Sequence, residues 1–317
     1  MNKKILGIII VLVVASLAAP LTSKVLAKKV TETDMGEYTE YVGTLGGANY
    51  VIRIPNENWN GMLVVGCHGY MAFNWNPDAQ FAMDQLPQPP PIYVGLKLPF
   101  ALVAEGYAYA ASSYGERGFA IKEAMIRTHQ LTQYVIGKFG VTGKVFIVGH
   151  SMGGLIGLLL GEKYPELYDG VLDISGMRDI VLGYTDSIAV IAGITADWGE
   201  MTPEEQAIYG PLRAMLVQMV ADMETQFGGT YEDKPQHYEK LNPVDNAEIS
   251  IPIISVTGAG DPLSVNQVYT FRDAVIAAGC EEYYKAIVVP GGHANWKTIA
   301  AALSHLQDLV NYPEPPW

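Results

Sequence analysis

A serine hydroxyl becomes a nucleophile only beside a general base, and the base needs an acid to hold it. Side chains of these three types stand on glycine-rich turns at three separated points of this 317-residue chain: Ser151 in "GHSMGG", Asp261 in "GAGDPL" and His293 in "PGGHAN". Their chain order, Ser then Asp then His, suits acyl transfer through a covalent intermediate. The G-x-S-x-G pattern around Ser151 decides little alone. A chain with 33 glycines produces it by accident about one time in eight. The bland alternative is a glycine-rich turn in which Ser151 only caps a helix.

The surroundings of Ser151 weigh against that alternative. It follows the apolar run "KVFIVG" and precedes a helical pattern from Met152, so it lies on a strand-turn-helix. Gly149, Gly153 and Gly154 leave room for a tight turn that lifts the hydroxyl over a sheet. Acyl transfer also needs preorganised N–H donors for the oxyanion. The amide of Met152 is one candidate. The other is the amide of Tyr70, on the turn "HGY", where Gly69 permits a sharp bend and His68 serves as a structural support. Asp173 is the rival acid, but it lies inside the run "GVLDIS", whereas Asp261 sits on the loop after a strand. Among the histidines, His129 and His305 fall in helices and His237 in an insertion. His150 is the variable residue of the serine turn and is expected to point away from the nucleophile's partners.

These residues need a scaffold that brings distant loops to one edge. "YTEYVGTL" and "ANYVIRI" alternate as a hairpin across Gly46-Gly47. After "GMLVVGCHGY", short apolar runs recur at 107–112, 144–149, 170–175, 251–258 and 284–289, separated by helical patterns at about 118–139, 152–163, 264–278 and 294–311. Strands apolar on both faces and alternating with helices predict an α/β fold with a mostly parallel twisted sheet. Ser264 and Gln267 read as a capping box at the third of these helices. Two stretches break the rhythm. The first is a long loop from Tyr70 to Pro99 carrying Phe73, Trp75 and Phe81. The second is a helical insertion over 183–246, read as a lid, with Met215, Met219 and Met223 on one face packing onto the core. The predicted division is a leader over 1–27, core over 28–182 and 247–317, and the lid between.

With "HGY", "GHSMGG", "GAGD" and "GGH" spread over about residues 40–312, the chain resembles the α/β-hydrolase superfamily, and "GHSMGG" is similar to the serine turn of its esterases, lipases and aminopeptidase-like members. The resemblance implies a serine hydrolase, with carboxylic esters the leading substrate and no metal or organic cofactor. A peptidase or amidase using the same residues is the alternative; an aminopeptidase would need a carboxylate for the substrate ammonium, with Glu200, Glu204 and Glu205 as candidates. A non-catalytic binding protein on the same fold remains the third reading. The aromatic loop and the lid point to an apolar or aromatic group on the substrate.

The N-terminus has Lys3 and Lys4, an apolar run over 5–15 and small residues ending at Ala27, the order of a secretory signal or an uncleaved anchor. The folded part is then expected outside the cytoplasm, with membrane contact only through that segment. The chain carries a net charge of −13. Loss of Lys3, Lys4 and Lys24 with the leader brings it to −16, a surface that disfavours nucleic acid. Cys67 and Cys280 read as ordinary buried residues that do not pair.

Overall fold

The computed structural model of the chain describes residues 27–71, 83, 97–293 and 295–313. The signal reading over 1–26 and the loop aromatics Phe73, Trp75 and Phe81 lie outside them. A nine-stranded sheet runs in the order β1-β2-β3-β5-β4-β6-β7-β8-β9. The strands are β1 (Lys28–Asp34), β2 (Tyr38–Leu45), β3 (Ala48–Pro55), β4 (Leu63–Cys67), β5 (Ala108–Ser112), β6 (Val145–His150), β7 (Gly170–Ile174), β8 (Ile253–Gly258) and β9 (Tyr284–Val289). Strands β1 to β3 are antiparallel, and β3 pairs antiparallel with β5. From β5 through β4 to β9 every pairing is parallel. Gly46 and Gly47 turn the β2–β3 hairpin at φ of 60° and 96°, as a two-residue loop matched to strand twist requires.

The apolar runs are explained by burial on both faces. Along β6, Val145 and Ile147 enter one core cluster while Phe146 and Val148 enter the other. Helices α2 (Ile121–Phe139), α3 (Met152–Lys163) and α7 (Val265–Ala277) cover the first face. Helices α1 (Leu98–Ala104) and α8 (Trp296–Asn311) cover the second. All the loops carrying the predicted site residues leave the carboxyl ends of the parallel strands, where an open α/β sheet places its crevice.

Strand β1 and helix α1 escaped the sequence reading. Every residue of β1 is exposed, so its pairing rests on backbone hydrogen bonds and leaves no apolar alternation. Helix α1 occupies what was read as the end of the long loop, its Pro99 sitting in the first turn where proline is tolerated. Between β7 and β8 lie α4 (Ile180–Asp197), α5 (Pro203–Phe227) and α6 (Pro235–Glu239). Helix α4 begins at Ile180, three residues before the predicted edge, because Asp179 accepts from the Leu182 amide as its cap. Leu216, Met219, Met223 and Phe227 of α5 are buried in the first-face core. The methionine stripe therefore packs as expected, with Met215 at its partly buried margin.

Two glycine substitutions separate close packing from helix propensity. A Cβ on Gly153 would overlap the Cys67 carbonyl, whereas one on Gly137 in α2 would meet nothing. Gly153→Ala is expected to lower unfolding free energy by about 3 kcal/mol. Gly137→Ala should raise it by about 0.5–1 kcal/mol. Urea denaturation of the two variants checks both signs.

Candidate active site

Ser151 stands at φ 56°, ψ −123° between β6 and α3. A non-glycine residue there costs roughly 1–3 kcal/mol and persists only when its surroundings enforce it. Here the Ser151 amide donates to the Ile174 carbonyl at 3.0 Å, and its own carbonyl accepts from Gly154 at 2.9 Å and Met177 at 3.2 Å. Side chains at Gly149 or Gly154 would overlap Gly153 and Asp173 respectively. The Ser151 side chain makes no cap hydrogen bond to α3, so the helix-cap reading fails. The hydroxyl is left over the strand ends, and the Met152 amide opens the helix beside it.

The acid and base turns meet through their backbones. Gly260 donates to the Gly291 carbonyl at 2.7 Å and Ala259 to Val289 at 2.7 Å. That places His293 Nδ1 2.8 Å from Asp261 Oδ2. The carboxylate accepts, so the proton sits on Nδ1 and Nε2 is the basic nitrogen. Asp261 is wholly buried while the His293 side chain is 35% exposed. Burial by itself would raise the Asp261 carboxyl. The hydrogen bond and charge of His293, the Ser264 hydroxyl and the Leu263 amide outweigh it and hold the carboxyl below its ordinary value.

On the third side, a Cβ at Gly69 would lie 3.1 Å from Ser151 Cβ, so the "HGY" turn runs directly past the serine. His68 is buried, donates from Nδ1 to the Gly69 carbonyl at 2.8 Å and stacks on Tyr114 at 3.9 Å between centroids. Burial pushes it down to about 4. His150 corrects an expectation. Its ring lies 5.1 Å from that of His293, facing the base, because strand alternation turns it toward the strand-end crevice. Burial, then the neighbouring His293, pushes it down to about 3, so it is neutral wherever His293 works as a base.

Asp173, the rival acid, is taken by a residue that sequence reasoning missed. Arg178 Nε lies 2.6 Å from Asp173 Oδ2, and both side chains are 0% exposed. Arg178 also donates to Ser255 Oγ, Thr257 Oγ1, the Gly176 carbonyl and, at 3.4 Å, the Ser264 carbonyl. The predicted Ser264–Gln267 capping box does not form. Ser264 Oγ donates to Asp261 Oδ2 instead, and Gln267 Oε1 accepts from the Arg178 and Asp179 amides. The Asp261 carboxylate and the backbone amides of Arg178 and Asp179 draw both side chains away from the helix end. The box is found at Thr202 and Glu205, which accounts for Glu205; Glu200 and Glu204 are exposed.

The other histidines have structural partners: His237 Nδ1 on the Phe227 carbonyl, His305 on Asp308, and His129 stacked on Tyr164. Cys67 is buried and Cys280 half-buried, both free, so the expected lack of pairing holds while only Cys67 is fully enclosed. Among the described residues no cluster of three metal-ligating side chains occurs.

The chain matches the family model Esterase, described as "Putative esterase", over residues 100–303. No curated protein matches it. An esterase of Pyrococcus furiosus superposes with TM-score 0.53 at 13% identity, over 92% of this chain and 91% of its own. Carboxyl esterase 2 of Tuber melanosporum gives 0.52 at 14%, over 92% and 85%. Puromycin hydrolase gives 0.54 at 14%, over 92% of this chain but only 40% of its own; the chain spans about two fifths of that protein. At these identities the likeness is one of fold.

Removing the Ser264 hydroxyl tests how the acid is held. The Asp261 carboxyl lies below its unfolded value, so its stabilisation is complete above the ordinary carboxylate range and is lost as pH falls through the folded value. Ser264→Ala should therefore cost about 1–2 kcal/mol at pH 7, with the gap to wild type narrowing toward pH ~3. Urea denaturation at both pH values reads the difference.

Proposed function

In a chain that belongs to the Esterase family and is a serine hydrolase of the α/β-hydrolase class, we propose that Ser151, His293 and Asp261 cleave carboxylic esters. The observation that carries this is the convergence of three turns. A serine held at positive φ abuts the "HGY" turn, and His293, oriented by a buried carboxylate, lies against the residue before that serine.

In this reading His293 Nε2 takes the Ser151 proton as Oγ attacks the acyl carbon. The amides of Met152 and Tyr70 receive the oxyanion, each donor contributing on the order of 10²- to 10³-fold. Asp261 keeps the imidazole in the required tautomer and stabilises the imidazolium. The imidazolium then protonates the leaving alcohol, and water activated by the same base releases the acyl group from Ser151.

The substrate is proposed to be a small ester with an apolar or aromatic group. This rests on the apolar residues of α4 and α5, proposed to act as a lid, and on the aromatic composition of the sequence after Tyr70. Of the candidate ammonium ligands Glu200, Glu204 and Glu205, the last is engaged in the Thr202 capping box. The Lys3–Ala27 pattern supports action outside the cytoplasm, secreted or anchored, and the excess of 33 acidic over 20 basic residues speaks against nucleic-acid partners.

A panel of esters varying in acyl length and aromaticity, each beside its matched amide, checks the assignment. Wild type should turn over esters with marked preference and be labelled by a fluorophosphonate. Ser151→Ala should lose label and about 10⁴-fold or more in kcat. Amides cleaved as readily as esters would move the protein to the peptidases, and labelling that survives Ser151→Ala would remove the nucleophile.

A further inference from the structure

The helical insertion reaches into the oxyanion turn itself. Tyr70 follows Gly69, whose missing side chain lets the turn pass the serine. The Tyr70 hydroxyl donates at 2.6 Å to Oδ2 of Asp222, a residue of α5 that lies 152 positions later in the chain. The other Asp222 oxygen accepts from Gln218 Nε2 at 2.8 Å. The carboxylate seats against Gly118, at φ 69°, where any side chain would overlap it. Tyr184 of α4 donates to Glu224, two residues further along α5. Met219, Met223 and Phe227 anchor the helix in the core, and Phe119 packs against Phe227 at 6.3 Å between ring centroids. Asp222 is thus a second fixed point for the turn, beside His68 on the Gly69 carbonyl.

The direction of the Tyr70 amide depends on the torsions of Gly69 and Tyr70. Glycine constrains its own torsion least of all residues, so the amide is held from two sides: by His68 Nδ1 on the Gly69 carbonyl of the same peptide plane and by the anchor on the Tyr70 side chain. Burial, then Asp222, keeps the phenol protonated well beyond its ordinary range, and it remains a donor to the carboxylate. We propose that Tyr70 and Asp222 are positioning residues: their hydrogen bond lets the insertion hold the oxyanion turn in working shape, so that docking of α5 is a condition for the second oxyanion donor. This rests on the reading of Ser151 as nucleophile and the Tyr70 amide as oxyanion donor. It adds a role for the insertion in the chemistry, beyond covering the site.

The test is a double-mutant cycle in the full chain with Tyr70→Phe, Asp222→Ala and their combination. The readouts are ester kcat and KM, affinity for an arylboronic acid that forms a tetrahedral adduct on serine, and thermal midpoint. Each single change should lower kcat on the order of tenfold with KM within about twofold of wild type, and the double should lose no more than the worse single. Boronate affinity should fall by the same factor as kcat/KM. Unchanged kcat, a change confined to KM, or losses that multiply in the double would overturn the latch. So would a loss that tracks only the fraction of protein unfolded at the assay temperature. Ester turnover that persists in Ser151→Ala would instead sink the underlying hydrolase reading, and the two failures are told apart in one experiment.

Discussion

Three backbones cross too closely for side chains where β4 ends, β6 ends and α3 begins. Gly153 presses on the Cys67 carbonyl, Gly149 on Gly153, and Gly154 on the Asp173 carboxylate. That crossing forces Ser151 to φ 56° and brings the "HGY" turn against it. The strained residue and the close turn are one constraint seen from two strands. Relieving the crossing would let Ser151 relax to an ordinary torsion and would widen the gap to Gly69. The strain is carried by a core in which β4, β6 and α3 are almost entirely buried.

Beneath the crossing, a fully buried Asp173–Arg178 pair does for the acid turn what the glycines do for the serine. Burying two charges is favourable only when their geometry and extra hydrogen bonds offset the lost hydration. Arg178 meets that condition with partners on β8, on the loop after β7 and at the start of α7. Through the Ser264 carbonyl it reaches the residue whose hydroxyl bonds Asp261. The carboxylate bonded to His293 is therefore linked from below to a second buried carboxylate, Asp173, through Arg178 and Ser264. The place of Asp173 inside "GVLDIS" sets it apart from Asp261, but nothing in that pattern points to Arg178 as its partner.

The sheet was legible because strands buried on both faces have no polar positions to blur the pattern, and the loops at their carboxyl ends carry the chemistry. Ser151, Asp261 and His293 stand on the turns where sequence order put them. What stayed hidden depends on partners far off in sequence. Arg178 looks like an ordinary residue before a helix until β8 is folded beside it. Ser264 and Gln267 obey a local capping rule that Asp261 and Arg178 override. Tyr70 and Asp222 are 152 residues apart, and β1 pairs with every residue exposed. His150 was misjudged because its position in the motif says nothing of how the β9 turn folds back over it.

His150 also shows why placement and protonation have to be argued together. A second imidazole lies 5.1 Å from that of His293. Were both charged, their repulsion at an effective dielectric near 20 would be roughly 3 kcal/mol. Burial, then the neighbouring His293, pushes His150 down to about 3, so the two rings do not both carry charge near neutral pH. Under the proposed mechanism, that leaves the single positive charge facing the buried Asp261 to His293, whose Nδ1 is bonded to it.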